Sequence, residues 1–315
     1  MTATSKQPLE ANLATIAKYF GLGEVWDFQS TPGASLTFLA TTDHGNHFFK
    51  FLIDTALDEV KHGLPFLQRL EEAGFPATYY LKSPDGELIY HSSECDAVVW
   101  PQPKGETAAP SPAICREVGV ALAKLHQISS ENLPEKRHWL DASYLSDAIE
   151  AAVEMYGTER LSKTLKIYES LKDFKPANLP QSIVHGDLDL STCLFEGEKL
   201  TVLIDWQEVG VGAALMDFVA TVIGFCFIER WDENSYLGAH YYPEFYQALY
   251  EGYNDIRPFS VQEKARLNDT LQYVGLIQPV WTMLLWQHYH PEEEMVETNT
   301  LYWRFGLDKL TLPVF

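Results

Sequence analysis

The sequence predicts an α+β protein in which a small lobe of antiparallel strands with one main helix precedes a larger, mostly helical lobe. Short strand-like runs fill the first part of the chain, a proline-rich segment follows at Pro101–Gly105, and helical periodicity dominates beyond it. We therefore expect lobes at residues 1–100 and 111–315, joined by a linker at 101–110, with a cleft at their junction. The 315 residues, 46% of them apolar, are enough for a substantial core.

The first lobe opens with a helical face at Leu9–Phe20, where apolar residues recur every three or four positions. The main helix of this lobe is predicted at Asp58–Ala73, where Pro65 can introduce a kink. Strands are predicted where short apolar runs lie between turn residues: Val25–Gln29, Leu36–Thr42, His47–Ile53, Tyr79–Lys82, Leu88–His91 and Asp96–Trp100.

The second lobe is predicted to be helical apart from two short strands. The helices are expected at Ile114–Ile128, within Tyr144–Leu171, and at Met216–Ile228, Pro243–Tyr253, Val261–Trp286 and Leu301–Leu310. The strands are Ser182–His185 and Leu200–Asp205, and an aspartate lies at or just beyond the end of each.

The chain carries 23 basic and 44 acidic residues, which give a formal net charge of −21. A surface this negative repels phosphate backbones and anionic lipid headgroups, so we expect neither a nucleic-acid nor a membrane partner. A cationic small substrate is compatible with this charge, whereas an anionic ligand needs local positive charge or a metal. The four cysteines form no CxxC motif and the first residues lack a secretion signal, so we expect reduced thiols in a cytoplasmic protein.

Two aspartates at the ends of the strands in the second lobe indicate chemistry. Asp187 lies within the segment Ile183–Phe195, and Asp205 lies within Val202–Trp206. Two carboxylates at strand ends can divide the work of phosphoryl transfer, because one can position an attacking hydroxyl while the other binds a Mg²⁺ that bridges nucleotide phosphates. The alternative is that each is an ordinary turn or capping residue.

Three motifs in this region resemble those of the aminoglycoside phosphotransferase and choline kinase superfamily, whose fold is that of protein kinases. They are His185-Gly186-Asp187, Ile204-Asp205-Trp206 and the segment Gly210–Asp217. Further segments are similar to the homoserine-kinase-like branch: Thr41–Gly45, Leu64–Phe66, Glu117–His126 and Leu249–Pro258. The resemblance extends over nearly the whole chain and implies a protein-kinase-like fold with an N-terminal nucleotide-binding lobe.

The resemblance implies a role for each acidic or basic motif residue. Asp187 would be the catalytic aspartate, Asp205 the principal Mg²⁺ ligand, and Lys50 the residue that reaches the nucleotide phosphates and pairs with Glu59. The spacing agrees, because a lysine on an apolar strand followed nine residues later by a helix-borne carboxylate can form the ion pair that positions a kinase lysine. The alternatives are a solvated edge-strand Lys50, and Asp58 in place of Glu59.

The resemblance also places the nucleotide. The hinge, with Val99, Trp100 and Gln102, would bind adenine through backbone groups, and since Pro101 has no N–H a neighbouring residue must supply the donor. Ser35, in the loop that replaces a phosphate-binding segment, would face phosphate with its backbone N–H.

Two departures from the family pattern bear on activity. Thr192 stands where the family has the loop asparagine that is the second Mg²⁺ ligand, so this metal site would be weak, or served by Asp189 or water. The segment Ala34–Thr37 lacks the asparagines that homoserine kinases of this branch carry, which counts against homoserine itself as the substrate.

The remaining residues of the motif region are assigned to support and recognition. His185 could be a general base by chemical type, but its position in the family is structural, and Asp217 is expected to hydrogen-bond the catalytic loop. Asp189 and Glu208 are the candidates for substrate recognition. Tryptophans beside carboxylates in the second lobe would suit an amine or quaternary ammonium group, or simply form core.

These observations lead to the hypothesis of a cytoplasmic, ATP- and Mg²⁺-dependent kinase. Its substrate would be a small, amine-bearing alcohol such as a homoserine-like amino acid, an amino alcohol or an aminoglycoside-like sugar. One alternative is a nucleotide-binding pseudokinase that acts as a regulator, which Thr192 favours. Another is a protein kinase, which the short segment between Asp205 and Asp217 disfavours because it leaves no room for an evident activation segment.

Overall fold

The computed structural model describes residues 12–31, 35–53, 56–134, 142–232 and 235–315. The first strands are β1 (Val25–Ser30), β2 (Thr37–Thr42), β3 (Gly45–Phe51), β4 (Tyr90–His91) and β5 (Asp96–Pro101). They form one antiparallel sheet in the order β1-β2-β3-β5-β4. The predicted start of the first helix at Leu9 and the middle of the predicted phosphate loop at Gly33 lie outside the described residues.

Alternation along β3 separates the two faces of this sheet. Phe49 and Phe51 are buried against the first helix, α1 (Leu13–Tyr19), in the core of the sheet. Phe48 and Lys50 therefore belong to the opposite face, since successive strand residues point to opposite sides. The register pairs Lys50 with Thr37 on β2 and with Val98 on β5, so the lysine stands in the middle of the sheet.

The main helix, α2 (Ala56–Glu72), connects the sheet to the rest of the chain. It runs through Pro65 without ending there. Its buried residues Phe66 and Leu70 belong to the large core of the helical region. At Gly63 the helix packs beside Val209, since a Cβ there would be in ordinary van der Waals contact with the Val209 side chain, at 3.6 Å. The hydrophobic core therefore does not divide at residue 100.

The helical region contains eight further helices among the described residues. They are α3 (Pro112–Leu125), α4 (Ala142–Tyr156), α5 (Ser162–Ser170), α6 (Ala214–Cys226), α7 (Pro243–Ile256), α8 (Val261–Leu284), α9 (Trp286–Tyr289) and α10 (Leu301–Arg304). Local signals set several boundaries: Ser111 caps α3, and a Ser260–Glu263 capping box begins α8. The last helix ends earlier than predicted because Gly306 has a left-handed backbone, with φ +67°.

Three strand pairs lie within the helical region. They are formed by β6 (Gln181–Val184) with β9 (Gly210–Ala213), β7 (Cys193–Glu196) with β8 (Lys199–Leu203), and β10 (Phe227–Asp232) with β11 (Ser235–Tyr241). The predicted helix over Met216–Ile228 is wrong at its end, because the chain leaves the helix at Cys226 and enters a hairpin. The predicted strand at Tyr79–Lys82 is also wrong, since this segment makes only single contacts such as Leu81 N–H to Val99 O.

Two glycines bring α3 and α7 into close contact. A Cβ on Gly119 would lie 2.2 Å from the backbone oxygen of Leu249, and a Cβ on Gly252 would lie 2.3 Å from that of Arg116. Only glycine fits at either position, since real side chains do not approach backbone oxygens so closely. This contact explains why the two segments with motif-like sequences, 117–126 and 249–258, lie together. The predicted α+β class, with its small antiparallel sheet and larger helical part, is confirmed.

Candidate active site

Lys50 lies on the inner face of the sheet, where two carboxylates influence it. The residue is 6% exposed, and this burial lowers the pKa of its ammonium group, while the negative charges of Asp205 and Glu59 act in the opposite direction. Glu59, in the first turn of α2, is half-buried and Asp58 is exposed, so Glu59 is the carboxylate that faces the lysine. The predicted proximity of Lys50 and Glu59 thus has structural support, and the solvated edge-strand alternative for Lys50 does not.

A cleft of about 530 Å³ lies between the sheet and the strand pair β7–β8. Phe48 and Trp100 stack on each other in its wall, with ring centroids 5.5 Å apart, and Tyr80 packs edge-on against Trp100 at 5.9 Å. Burial, with a smaller contribution from Asp205, holds the pKa of Tyr80 well above its usual value. Lys50 and Asp205 line the same cleft. It therefore combines aromatic walls with one cation and one carboxylate.

The predicted hinge is only partly in this cleft. Trp100 and Gln102 line it. Val99 does not: its side chain is fully buried in the core of the sheet, and its carbonyl accepts a hydrogen bond from Leu81 N–H at 2.7 Å. The side chain of Val99 therefore does not contribute to the cleft, because strand alternation turns it to the other face, and its predicted backbone role is weakened because its carbonyl is already bonded.

The predicted phosphate-facing residue Ser35 lies at the edge of the cleft, together with Thr31 and Thr37. Thr31 donates from its N–H and its hydroxyl to Thr37 O, at 2.9 and 3.2 Å, which joins the two ends of the loop. Ser35 is thus placed where the sequence predicts it, beside the sheet that carries Lys50.

The loop after β6 is held by His185, which is fully buried. Its Nδ1 accepts a hydrogen bond from Asp187 N–H at 3.3 Å, so Nε2 carries the proton and donates to Ile204 O at 3.0 Å. Burial lowers the pKa of His185, in agreement with a neutral ring. Both nitrogens are engaged within the fold, which agrees with the predicted structural role of His185 in the loop.

Asp217, in the first turn of α6, holds the same loop through hydrogen bonds. Its carboxylate accepts hydrogen bonds from His185 N–H at 2.9 Å, Gly186 N–H at 3.0 Å and His126 Nε2 at 3.1 Å. Full burial alone would raise the pKa of Asp217, but the hydrogen bonds from the His126 side chain and from His185 N–H outweigh it and hold the pKa below its usual value. His126 completes the group by accepting from Tyr253 hydroxyl at 2.7 Å.

Asp187 projects from this supported loop and is exposed. Partial burial by the surrounding loop, together with the charges of Asp189, Asp205 and Glu208 and of the buried Asp217, raises the pKa of Asp187 to about 6. The influence of Asp205 shows that the two strand-end carboxylates come together, as the sequence predicts. At neutral pH the Asp187 side chain is therefore mostly ionised yet more basic than an ordinary carboxylate.

Asp189 and Thr192 hold each other within the loop. Asp189 Oδ1 accepts from Ser191 N–H at 2.7 Å, from Ser191 hydroxyl at 2.6 Å and from Thr192 N–H at 3.2 Å. Thr192 is buried, and its hydroxyl accepts from Asp189 N–H at 3.0 Å and has the carbonyls of Asp187 and Asp189 within hydrogen-bonding distance. These contacts favour a loop-supporting role for Thr192 over the predicted role as a metal ligand, because its hydroxyl already serves the loop backbone.

Asp205 adopts a left-handed backbone, with φ +63° and ψ +66°, directly after β8. This conformation is uncommon for any residue except glycine, although aspartate tolerates it better than most. It begins a short 3-10 turn at Trp206–Glu208, in which Trp206 Nε1 donates to Leu203 O at 3.0 Å and the indole lies 4.5 Å from the His185 ring. The turn leaves Asp205 exposed in the cleft and Glu208 half-buried beside it.

Several residues that build the site were not predicted from the sequence. Phe48, Tyr80 and Thr78 line the cleft, and His126 and Tyr253 support Asp217 from distant parts of the chain. His126 could have been found, since it ends one of the segments with motif-like sequences. Phe48 could have been found from its two-residue spacing to Lys50 on the same strand.

The part of the chain that the structure describes contains no cluster of three His, Cys, Asp or Glu side chains that could hold a metal by itself. It also contains no helix that is long and apolar enough to cross a bilayer.

The family model described as "Phosphotransferase enzyme family" (APH) matches residues 31–259, more than half of the chain. The homoserine kinase of Pseudomonas aeruginosa is 26% identical over 272 residues, which cover 83% of this chain and 81% of the relative. The homoserine kinase of Mesorhizobium japonicum is 25% identical over 268 residues, with 82% and 80% covered.

Solved structures show the same fold. The amicoumacin kinase hAmiN, in complex with AMP-PNP, Ca²⁺ and Ami, superposes with a TM-score of 0.64 at 12% identity, covering 98% of this chain and 100% of that one. A choline/ethanolamine kinase family protein from Mesorhizobium loti superposes with a TM-score of 0.60 at 17% identity, covering 96% and 95%. The resemblance inferred from the motifs is confirmed.

Proposed function

Since the chain belongs to the phosphotransferase enzyme family and is a small-molecule kinase of it, we propose that it transfers the γ-phosphate of ATP, with Mg²⁺, to a hydroxyl of a small amine-bearing metabolite. One observation carries this proposal: Lys50 and Asp205 line one cleft, and Asp187 lies close enough to Asp205 for the two charges to interact. Phosphoryl transfer depends on such positioning and charge compensation more than on covalent catalysis.

The cleft is proposed to hold the nucleotide. Phe48, Trp100 and Tyr80 offer aromatic surface for the base, and Lys50 offers a buried positive charge for the phosphates. An ammonium group whose pKa is lowered by burial has much to gain from an anionic ligand, because the ligand stabilises its charged form. Ser35 and Thr31 line the edge of the same cleft. In this proposal they lie next to the nucleotide phosphates.

The residues present fit a Mg²⁺ ion that arrives with the nucleotide. Magnesium usually keeps several waters and binds through one or two carboxylates together with substrate phosphates, so the absence of a three-residue cluster among the described residues agrees with it. Asp205 would hold the ion, since its carboxylate faces the cleft beside Lys50. When bound, the ion would neutralise charge on the phosphates.

Asp187 is proposed to accept the proton of the attacking hydroxyl. Its raised pKa, about 6, brings its basicity closer to neutral pH while leaving it ionised, which suits a general base. His185 is excluded from this role because its two ring nitrogens are used by Asp187 N–H and Ile204 O.

The acceptor is proposed to be cationic. Asp187, Asp205 and Glu208 lie together in a protein with a net charge of −21, and this field attracts positive groups. Asp189 is a weaker candidate for direct recognition than the sequence predicts, because one of its oxygens is occupied by Ser191 and Thr192.

The test is transfer of labelled γ-phosphate from ATP to a panel of amino alcohols, hydroxy amino acids and aminoglycosides, with products identified by mass. A phosphorylated amine-bearing alcohol is expected with the natural chain and not with Asp187→Asn. Transfer only to neutral or anionic alcohols would contradict the cationic acceptor.

A regulator without turnover is the second candidate, favoured by the inward-facing hydroxyl of Thr192. It would bind ATP and Mg²⁺ in a thermal-shift titration but phosphorylate none of the panel. The two candidates therefore differ in turnover and not in nucleotide binding.

A further inference from the structure

The main chain of the hinge segment 100–103 offers no free hydrogen-bond donor to a nucleotide base. Pro101 and Pro103 have no N–H. The N–H of Gln102 donates to a carbonyl of β3 at 2.9 Å. The N–H of Trp100 is used in the same ladder, because bonded pairs recur at every second residue of an antiparallel pair. A main-chain donor for the base must therefore come from another part of the cleft.

Gly105 follows this segment, lines the nucleotide cleft and is half-buried. Its N–H has no hydrogen-bond acceptor in the part of the chain that the structure describes. The preceding residue, Lys104, is exposed and lines a second concavity beside the hinge, which Thr201 also lines, and not the nucleotide cleft. Gly105 therefore carries the unused main-chain donor nearest to the hinge on the cleft side.

The peptide that joins Lys104 to Gly105 is held in one orientation. The hydroxyl of Thr201 donates to Lys104 O at 2.8 Å and shares its proton with Leu194 O at 2.9 Å. The C=O and N–H of a trans peptide point in opposite directions, and the described residues contain no cis peptide bond. Since Lys104 O points to Thr201 in the wall of the second concavity, the N–H of Gly105 points away from that wall, to the side of the nucleotide cleft.

Hydrogen bonds after Gly105 fix its position from the other side. Glu106 N–H donates to Phe195 O at 3.0 Å, and Phe195 N–H donates to Glu106 O at 2.8 Å. Gly105 has a φ of +102°, and a Cβ there would lie 2.6 Å from the Thr201 hydroxyl oxygen and 2.9 Å from Phe195 O, so the position requires glycine. The free N–H is therefore held in place before any ligand binds, which lowers the entropic cost of using it.

We infer, building on the proposed function, that Gly105 supplies the main-chain N–H that binds the purine base, by donating to one of its ring nitrogens. The unsubstituted ring nitrogens of adenine, N1, N3 and N7, are all acceptors, and one of them would satisfy a half-buried donor that the protein leaves unpaired. The side-chain amides of Gln102 and Gln207 line the same cleft and can contact other edges of the base. The Gly105 N–H differs from them because the backbone fixes its direction. The donor thus lies three residues beyond the hinge residue Gln102.

The sequence allows this one N–H to be observed directly by NMR. Lys104 and Gly105 form the only Lys–Gly pair in the chain. Full-length protein labelled with carbon-13 at the lysine carbonyl and with nitrogen-15 in glycine therefore gives a single peak in a spectrum that correlates each carbonyl carbon with the following amide. We expect the amide proton of Gly105 to move downfield when ADP and Mg²⁺ are added, because an amide proton is deshielded when it donates a hydrogen bond.

Three ADP analogues identify the acceptor: 1-deaza-ADP, 3-deaza-ADP and 7-deaza-ADP each replace one ring nitrogen by C–H and keep the aromatic ring. We expect one of them to leave the Gly105 proton near its position in the free protein and to bind about three- to tenfold more weakly than ADP, because it lacks the acceptor. The other two should behave like ADP. If ADP does not move the proton, or if all three analogues move it as ADP does, the inference is overturned.

A second test releases the peptide. Thr201→Val keeps the shape of the side chain but removes the hydroxyl that holds Lys104 O, so the preference for ADP over the weakened analogue should fall toward one. Thr282→Val is the matched control, because the Thr282 hydroxyl also donates to a backbone carbonyl, Gln278 O at 3.0 Å, but within α8. This control should leave the preference unchanged. Equal preferences in the two variants would overturn the assignment of the peptide orientation to Thr201.

The proposed function and this inference fail differently. A chain that binds neither ADP nor ATP would contradict the proposed function itself. A chain that binds ADP and turns over ATP while the Gly105 amide stays unmoved would leave the proposed function intact and overturn only the inference about the base. Melting temperatures of the two valine variants, equal to that of the natural chain, would establish that a change in nucleotide preference does not come from unfolding.

Discussion

Two groups of ionisable side chains meet at the loop of residues 185–192, and one group is buried while the other is largely accessible to solvent. One group, the buried brace, consists of His126, His185 and Asp217, and all three are fully or nearly fully buried. The brace joins α3, the loop and α6 through the Asp217 carboxylate, which accepts three hydrogen bonds. The negative charge of the Asp217 carboxylate is therefore stabilised by hydrogen bonds from the protein itself.

The other group, the open rim, consists of Asp187, Asp189 and Asp205, which are exposed or half-buried, and Asp205 lines the cleft. Here partial burial, together with the like charges of the neighbouring carboxylates, raises the pKa of Asp187 instead of lowering it. The comparison shows how two aspartates on either side of β7, β8 and β9 acquire opposite properties. The hydrogen bonds to Asp217 lower its pKa and hold the loop, whereas burial and like charges make Asp187 more basic.

The largest effect is expected for the rim variant Asp187→Asn. An amide cannot accept the hydroxyl proton, so kcat should fall by about a thousandfold, within the usual range for a general base. Nucleotide binding and melting temperature should not decrease. The measurement is steady-state kinetics with the acceptor found in the panel, and a kcat within tenfold of the natural value would contradict the role of Asp187.

The brace variant Asp217→Asn should act first on stability. The amide turns an N–H₂ group toward donors that the carboxylate now satisfies, and the cost is about 3 kcal/mol, as for buried hydrogen bonds to a charged group. Urea denaturation should show a lower midpoint with an unchanged slope. Asp189→Asn, on the half-buried rim, is the control, and a loss of less than 1 kcal/mol in Asp217→Asn would show that the brace is not needed for stability.

The pH dependence of kcat/KM should report the electrostatics of the rim. Activity should fall as the pH drops through about 6, because protonation of Asp187 removes the base. Asp189→Asn removes a neighbouring negative charge, which favours ionised Asp187, so the acid limb should move to lower pH. A carboxylate outside the cluster, Asp85, provides the control Asp85→Asn, and an identical shift in both variants would contradict the assignment.

The rim and the brace should also differ in the sign of their effect on stability. The pKa of Asp187 lies above its ordinary value of 3.8, so the folded chain binds more protons than the unfolded chain between about pH 4 and 6. Stability from this group is therefore present at low pH and lost as the pH rises through that window. Asp187→Asn should consequently raise the melting temperature slightly at pH 7.5 but not at pH 4, and a lowered value at pH 7.5 would contradict the linkage.

The smallest effect is expected for Ser182→Ala. Ser182 is not part of the brace and contacts it only through the backbone carbonyl of His126. Ser182 hydroxyl donates to His126 O at 3.0 Å, and its loss should cost about 1 kcal/mol, with kcat unchanged. Thermal unfolding and steady-state kinetics measure both quantities. A large loss of kcat would mean that the brace controls the chemistry directly and not only the stability of the loop.

Much of the fold and of the rim is encoded in short stretches of sequence. The short apolar run at 47–53 placed Lys50 on a strand, and an aspartate after each of two short strands placed Asp187 and Asp205 where their charges interact. Such features can be predicted from the sequence because the two-residue alternation of a strand and the polar residue that follows it are local properties of the chain. The hairpin β10–β11 was not readable, because its aromatic residues also fit the end of an apolar helix.

The amino-acid sequence by itself determined the α+β class, the loop motifs and the set of candidate site residues. Only the tertiary structure decided that Val99 faces the core, that Thr192 turns its hydroxyl to the loop, and that Gln102 has already used its N–H. It also joined His126 to Asp217 across 91 residues of chain. The physical reason is that a donor or acceptor is available only if no partner has reached it, and those partners come from segments that are distant in sequence and meet only on folding.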